Sequence, residues 1–108
     1  MSDIYYVKSP YFREAITTFA FRRKVNWLEE GMSLLSWKYK KVSSSSAVDL
    51  NKIYSYCQCW NGNKNTKIAG HRSISIGDIV VLEGNAKLIT GGGWVAIPDT
   101  IWNKTIKE

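Results

Sequence analysis

The chain has 108 residues, 44% of them apolar and 22% charged, with a formal net charge of +6. Those values exclude a disordered chain and fit one domain with a single modest core. No apolar run approaches the roughly 20 residues needed to cross a bilayer, and the opening MSDIYYVKSP lacks the layout of a signal peptide, so a soluble cytosolic protein is expected.

Residues 4–7 are strand formers and read as an edge or opening strand. Ser9-Pro10 reads as a helix start, with Ser9 as cap and Pro10 at the first helical position. Phe12, Ile16, Phe19 and Ala20 fall at helical spacing and predict a helix over 10–21 that buries that face. Thr17, Thr18, Phe19 and Phe21 are also strand formers and pull the other way. Asn26 to Glu29 has the N-x-x-E form of a capping box and Gly31 is a natural terminator, so residues 27–30 read as one further helical turn. Between these pieces, Arg22-Arg23-Lys24 suits the negative end of a helix dipole. A phosphate contact is its functional alternative.

From Leu35 the period becomes two. Leu35, Trp37 and Tyr39 alternate with Ser36, Lys38 and Lys40, which predicts a strand with an apolar inner face and a basic outer face. Basic and aromatic side chains on adjacent strand positions suit a nucleic acid, although lysines that discourage pairing at a sheet edge explain them better. The four serines of 43–46 read as a short polar linker. Asp49 can cap a second helix over 49–60, in which Leu50, Ile53, Tyr54 and Cys57 take i, i+3, i+4 and i+7. Asn61-Gly62-Asn63 stops it, and the polar span 61–70, with Lys64 and Lys67, reads as an exposed loop.

Residues 71–82, HRSISIGDIVVL, are the most strand-like run. Ile74 and Ile76 alternate with Ser73 and Ser75, Gly77-Asp78 interrupts as a turn or bulge, and residues 79–82 lack alternation, as in a strand covered on both faces. Glu83-Gly84-Asn85 predicts a hairpin turn into a strand over 86–90, and Gly91-Gly92-Gly93 a flexible connection to another over 94–97. Pro98-Asp99 closes that strand, and Ile101, Trp102 and Ile106 are expected to dock a C-terminal segment of unassigned type. The expected fold is a single α+β domain over 1–108, with a small twisted antiparallel sheet packed against one or two helices.

The reactive residues form no familiar constellation. Cys57, Cys59 and His71 are one ligand short of a structural zinc site, so buried structural cysteine is the better reading. The triple glycine has no Lys-Ser/Thr after it and is not a phosphate-binding loop. His71 has Asp78 and Ser73 or Ser75 nearby in sequence, but no nucleophile elbow surrounds them. A turn-anchoring Asp78 and a surface His71 are therefore expected, with no catalytic residues, no metal and no cofactor. Residues 1–48 carry eight Lys/Arg against four Asp/Glu, and residues 49–108 carry seven against five. This bias favours anionic partners, and a solvated basic surface explains it equally well. The five tryptophans serve a small core first and a binding surface second.

The run His71-Arg72-Ser73-Ile74-Ser75-Ile76-Gly77-Asp78-Ile79-Val80 resembles a motif of small domains from bacteriophages, archaeal viruses and plasmids, the YodL-like domains among them. In that family a short helix and a polar loop precede the motif, and a hairpin ending in a glycine-aromatic pair follows it. The matching pieces here are residues 49–60, residues 61–70 and Gly93-Trp94. The resemblance covers residues 37–97 and makes 1–36 an extension specific to this chain; the span 57–63 and the triple glycine depart from the family pattern. It implies an origin, as an accessory protein of a phage or similar element, more than a reaction. The expectation is a non-enzymatic protein that binds and modulates a host macromolecular machine in the host cytoplasm, with Trp94, Lys64, Lys67 and Trp102 as candidate contacts. The alternative is nucleic-acid binding through Arg22, Arg23, Lys24, Lys38, Lys40 and Lys41. A homodimer through an uncovered edge strand is a further possibility.

Overall fold

A computed structural model describes residues 2–20, 37–45, 49–51 and 74–107. Among these residues six strands form one sheet: β1 (Ser2–Val7), β2 (Lys38–Ser45), β3 (Ile79–Leu82), β4 (Asn85–Thr90), β5 (Gly93–Ala96) and β6 (Ile106–Lys107). Their spatial order is β5-β4-β3-β1-β2-β6. All neighbours are antiparallel except β2 and β6, which run parallel. With helices α1 (Phe12–Phe19) and α2 (Asp99–Trp102) this is the expected α+β fold, with a mixed sheet where an antiparallel one was expected.

β1 opens the chain but lies in the middle of the sheet, not at an edge. It pairs with β2 on one side and β3 on the other. Its sequence explains this, because both faces are apolar. Tyr5 and Val7 pack into one core cluster with Phe19, Tyr39 and Leu88, while Ile4 and Tyr6 pack into a second with Val80 and Ile89. A strand buried on two faces shows no apolar–polar alternation, which is why its central place was not evident. The span 1–36 therefore begins with a strand integral to the sheet.

The chain then turns through a 3-10 helix at Ser9–Tyr11 before α1 begins. The Tyr11 amide bonds to the Lys8 carbonyl at 2.9 Å, so Lys8 precedes the first turn and Ser9 makes no side-chain cap. Ala15 and Phe19 are fully buried, with Phe12 packed against the same cluster. The β-preferring Thr17 and Thr18 are accommodated because their hydroxyls donate to the Arg13 and Glu14 carbonyls at 2.9 and 2.8 Å. α1 ends at Phe19, short of the predicted boundary, and Phe21 lies outside the described residues together with the predicted turn over 27–30.

β2 confirms the alternation at Trp37 and Tyr39, both buried, against exposed Lys38 and Lys40. It also corrects the serine linker: Ser43, Ser44 and Ser45 pair with Ile4, Asp3 and Ser2. Serines are poor strand formers alone, but here a central strand supplies their ladder, and the Ser44 hydroxyl donates to Asp3 Oδ1 at 2.8 Å. A register shift opposite Ile4 and Tyr5 leaves Val42 as the extra residue of a bulge.

The second correction concerns residues 74–78, which are not strand. Ile76-Gly77 forms a turn, with the Asp78 amide bonded to the Ser75 carbonyl at 3.1 Å. Gly77 has φ +94°, and a Cβ there would lie 2.6 Å from the Ala15 Cβ, so both backbone and packing require glycine. β3 follows as expected: Ile79 faces the first cluster and Val80 the second, both fully buried. The β3–β4 turn is Glu83-Gly84, with φ 50° and 83°, the two positive values of a type I′ hairpin.

The C-terminal segment is α2 followed by β6. Trp102 packs edge-on against Tyr5 and Tyr39, with ring centroids 5.0 and 6.4 Å away. Burying an aromatic of this size contributes about 2–3 kcal/mol. Ile106, expected to dock, is 45% exposed instead. It pairs with Lys38, whose side chain lies on the outer face of β2.

Candidate functional site

The β4–β5 hairpin builds one wall of a concave surface. Its two-residue turn, Gly91-Gly92, is tied by the Thr90 hydroxyl, which donates to the Gly93 carbonyl at 2.8 Å and accepts the Gly92 amide at 3.2 Å. The Gly91 amide donates to the Phe19 carbonyl at 3.0 Å, so the hairpin tip docks on the last turn of α1. A Cβ on Gly91 would collide with the Ala20 carbonyl. The triple glycine, predicted as a flexible connection, is a close-packed junction: Gly91 permits the approach and Gly93, at φ +121°, the strand entry.

Asn51 supplies the opposite wall. Its backbone amide donates to Asp49 Oδ1 at 2.9 Å, the bond expected of Asp49 as a helix cap. Between them lies a shallow depression of about 280 Å³, bordered by Asn51, Ile89, Thr90, Gly91, Gly93 and Trp94. Ile89 and the half-buried Trp94 give it an apolar floor, and Asn51 gives it an amide rim. Such a surface can take an apolar or aromatic group, with a polar rim residue beside it. Trp94 is a contact expected from the sequence; Asn51 and Ile89 are not. The one signal for Asn51 is the Asp49 cap, which places it in a first helical turn, and for Ile89 its place in the predicted strand over 86–90.

The other predicted residues are not gathered here. Trp102 is 8% exposed and belongs to the core, where Lys107 Nζ lies 4.4 Å from its ring centroid, so it is not a surface contact. Lys64 and Lys67 lie outside the described residues, as do Arg22, Arg23 and Lys24. Lys38 and Lys40 share one face of β2, since Lys40 pairs with Tyr6 of the second cluster. Lys41 pairs with Tyr5, on the opposite face, and meets Asp3 Oδ1 at 3.3 Å. The expected basic surface is therefore split by the pleat.

Asp3 sits between Ser44 and Lys41. The Ser44 hydroxyl above all, with Lys41 adding to it, holds its carboxyl below the usual carboxylate range against the opposing effect of burial. Burial lowers the Lys107 ammonium from the ordinary lysine value, although the residue as a whole is exposed.

Asp78 is wholly buried. Its Oδ1 accepts the Val7 amide at 3.0 Å and its Oδ2 the Ser75 amide at 2.8 Å. The carboxylate thus anchors the Ser75–Asp78 turn to the central strand, in the role expected of it. Cys57, Cys59, His71 and Ser73 lie outside the described residues. Among the described residues no three His, Cys, Asp or Glu side chains are grouped to hold a metal ion, and no helix is long and apolar enough to cross a membrane. No protein-family model, curated protein or solved structure matches this chain.

Proposed function

We propose that this protein is a non-enzymatic accessory protein of a phage or similar mobile element, which binds and modulates a host macromolecular machine in the host cytoplasm. The observation that carries the reading is the Trp94 depression. It is open and shallow, floored by Trp94 and Ile89 and rimmed by Asn51. Small-molecule sites enclose most of their ligand, whereas a half-exposed tryptophan beside a small hollow is the usual anchor of a protein–protein contact. The likeness of residues 71–80 to the YodL-like domains supports the origin.

The test is an affinity pull-down of the tagged chain from host lysate, with and without nuclease, repeated with Trp94→Ala. A defined protein partner that survives nuclease and weakens at least about tenfold on Trp94→Ala, a typical hot-spot loss, is the expected result. Undiminished capture by Trp94→Ala overturns the site. Turnover of a substrate by the purified protein, with no partner recovered, overturns the reading.

A second reading rests on Lys38 and Lys40, exposed on the same face of β2. A nucleic acid lying along that face gives an affinity that falls steeply with salt, and the Lys38→Glu/Lys40→Glu variant lowers the slope by about two. An unchanged slope removes this reading.

A further inference from the structure

We infer that the free edge of β5 is a self-association site, at which a second copy of this chain adds antiparallel and makes one continuous sheet. The two edges of the sheet differ in kind. The β2–β6 edge carries Lys38, Lys40 and Lys107, all exposed, and lysines on an edge blunt its pairing with other chains. β5, at the other edge, has the sequence Gly-Trp-Val-Ala, with neither charge nor proline. A chain of net charge +6 brings its own copy alongside with least repulsion there.

The backbone register specifies the pairing. The Ile97 amide donates to the Ala86 carbonyl at 2.9 Å, and Leu88 faces Val95 two residues on. Antiparallel alternation makes both of these hydrogen-bonded pairs. The N–H and C=O groups of Trp94 and Ala96 therefore point away from β4, to the open edge. Gly93 and Ala96 are exposed and Trp94 and Val95 half-buried, and among the described residues no strand pairs with this edge. With a two-fold axis at Val95, Trp94 of one copy exchanges both backbone bonds with Ala96 of the other, and Val95 faces its own counterpart.

The side chains fit the same register. Trp94 and Ala96 lie on the face of the second core cluster, opposite Ile89 and Lys87. Pairing sets the largest side chain of the strand over the smallest and brings the two Trp94 rings into a diagonal relationship within aromatic reach. A four-residue edge buries less than the roughly 1,200 Å² of a stable interface, so association is weak and depends on concentration. It places two Trp94 depressions side by side on one sheet face.

Sedimentation velocity of the full chain, under reducing conditions over a concentration series, tests this. Wild type is expected to shift from monomer towards dimer, and Ala96→Lys, which puts a charge on the edge without touching the depression, to weaken that shift at least about tenfold, or 1.4 kcal/mol. A second readout places Val95→Cys on a Cys57→Ser/Cys59→Ser background, where oxidation is expected to cross-link the two-fold pair and Trp94→Cys to cross-link poorly. Wild type monomeric throughout, or Ala96→Lys associating as wild type does, overturns the inference. If the serine background does not fold, the sedimentation comparison decides alone. Trp94 serves both proposals, so Ala96→Lys, which lies outside the depression, separates them: it is expected to lose self-association while capturing the partner as wild type does.

Discussion

Asp78 Oδ1 accepts the backbone amide of Val7 at 3.0 Å, across 71 residues of sequence. The bond joins a turn to a strand that it does not pair with at that point, since the β1–β3 ladder runs only from Ser2↔Leu82 to Tyr5↔Ile79. The carboxylate extends the ladder by one bond where the β3 backbone has already turned away. Asp78→Ala removes the charged acceptor of the buried Val7 amide and the half-buried Ser75 amide, and each hydrogen bond to a charged group is worth about 1.5–3 kcal/mol. We expect a loss of about 3 kcal/mol in urea denaturation. A loss below about 0.5 kcal/mol, the range of an ordinary surface change, would falsify the clamp.

The same turn is held from the other side by the Tyr39 hydroxyl, which donates to the Gly77 carbonyl at 2.8 Å inside the core. Tyr39→Phe keeps the ring against Trp102 and removes only that bond. The expected loss is about 1 kcal/mol, in equilibrium denaturation with an unchanged m-value. A loss indistinguishable from zero means that the turn carbonyl finds another donor.

Gly77 and Gly84 both have positive φ, but only Gly77 is crowded: Ala15 stands against it, while nothing lies within 4 Å of a Cβ on Gly84. Gly84→Ala thus carries the backbone term alone, about 1 kcal/mol. Gly77→Ala adds displacement of α1 and is expected to cost at least about 2 kcal/mol. Equal losses in thermal denaturation would show that α1 moves aside freely.

Glu83 occupies the first position of a type I′ turn at φ 50°, a conformation that asparagine adopts more readily. Glu83→Asn is expected to stabilise by about 0.5–1 kcal/mol, read as a rise in the denaturation midpoint. A fall would mean that the glutamate makes a compensating contact.

Among the described residues, Asp3 and Lys107 titrate away from their ordinary values, and both tilt the pH dependence the same way. The Asp3 carboxyl is lowered by Ser44 and Lys41, so between its folded value and the ordinary one the unfolded chain binds more protons. Its contribution is present above the ordinary carboxylate value and is lost as pH falls through the folded one. The pair is partly exposed, so the effect is a few tenths of a kcal/mol, roughly that of a surface ion pair. It is visible as an acid-limb difference between wild type and Asp3→Asn. Lys107 is lowered by burial, so holding it charged costs stability until pH rises through its folded value towards the ordinary lysine value. Its Nζ donates to the Trp102 and Thr105 carbonyls at 2.6 and 3.1 Å, which offsets that cost. Above neutral pH, the stability difference between wild type and Lys107→Met is expected to move in favour of wild type. A shift the other way contradicts the burial of the ammonium.

Local pattern determined much of this protein. A period of two puts Trp37 and Tyr39 on one face and Lys38 and Lys40 on the other, the loss of that period marks Ile79 to Leu82 as a doubly covered strand, and turn chemistry makes Glu83-Gly84 a hairpin. The α+β class followed from these together. Tertiary structure decided what depends on a distant partner. Ser43–Ser45 are strand because β1 lends them a ladder, which no serine propensity reveals. Ile74 and Ile76 alternate like a strand but are bent into a turn, because the Asp78 carboxylate and the Ala15 contact favour the Gly77 bend over continued pairing. Lys41 is separated from Lys38 and Lys40 because the pleat alternates sides, and Asn51 and Trp94, far apart in the chain, border one depression. Sequence fixes each residue's local preference; the choice among faces, edges and neighbours belongs to contacts between residues far apart in the chain.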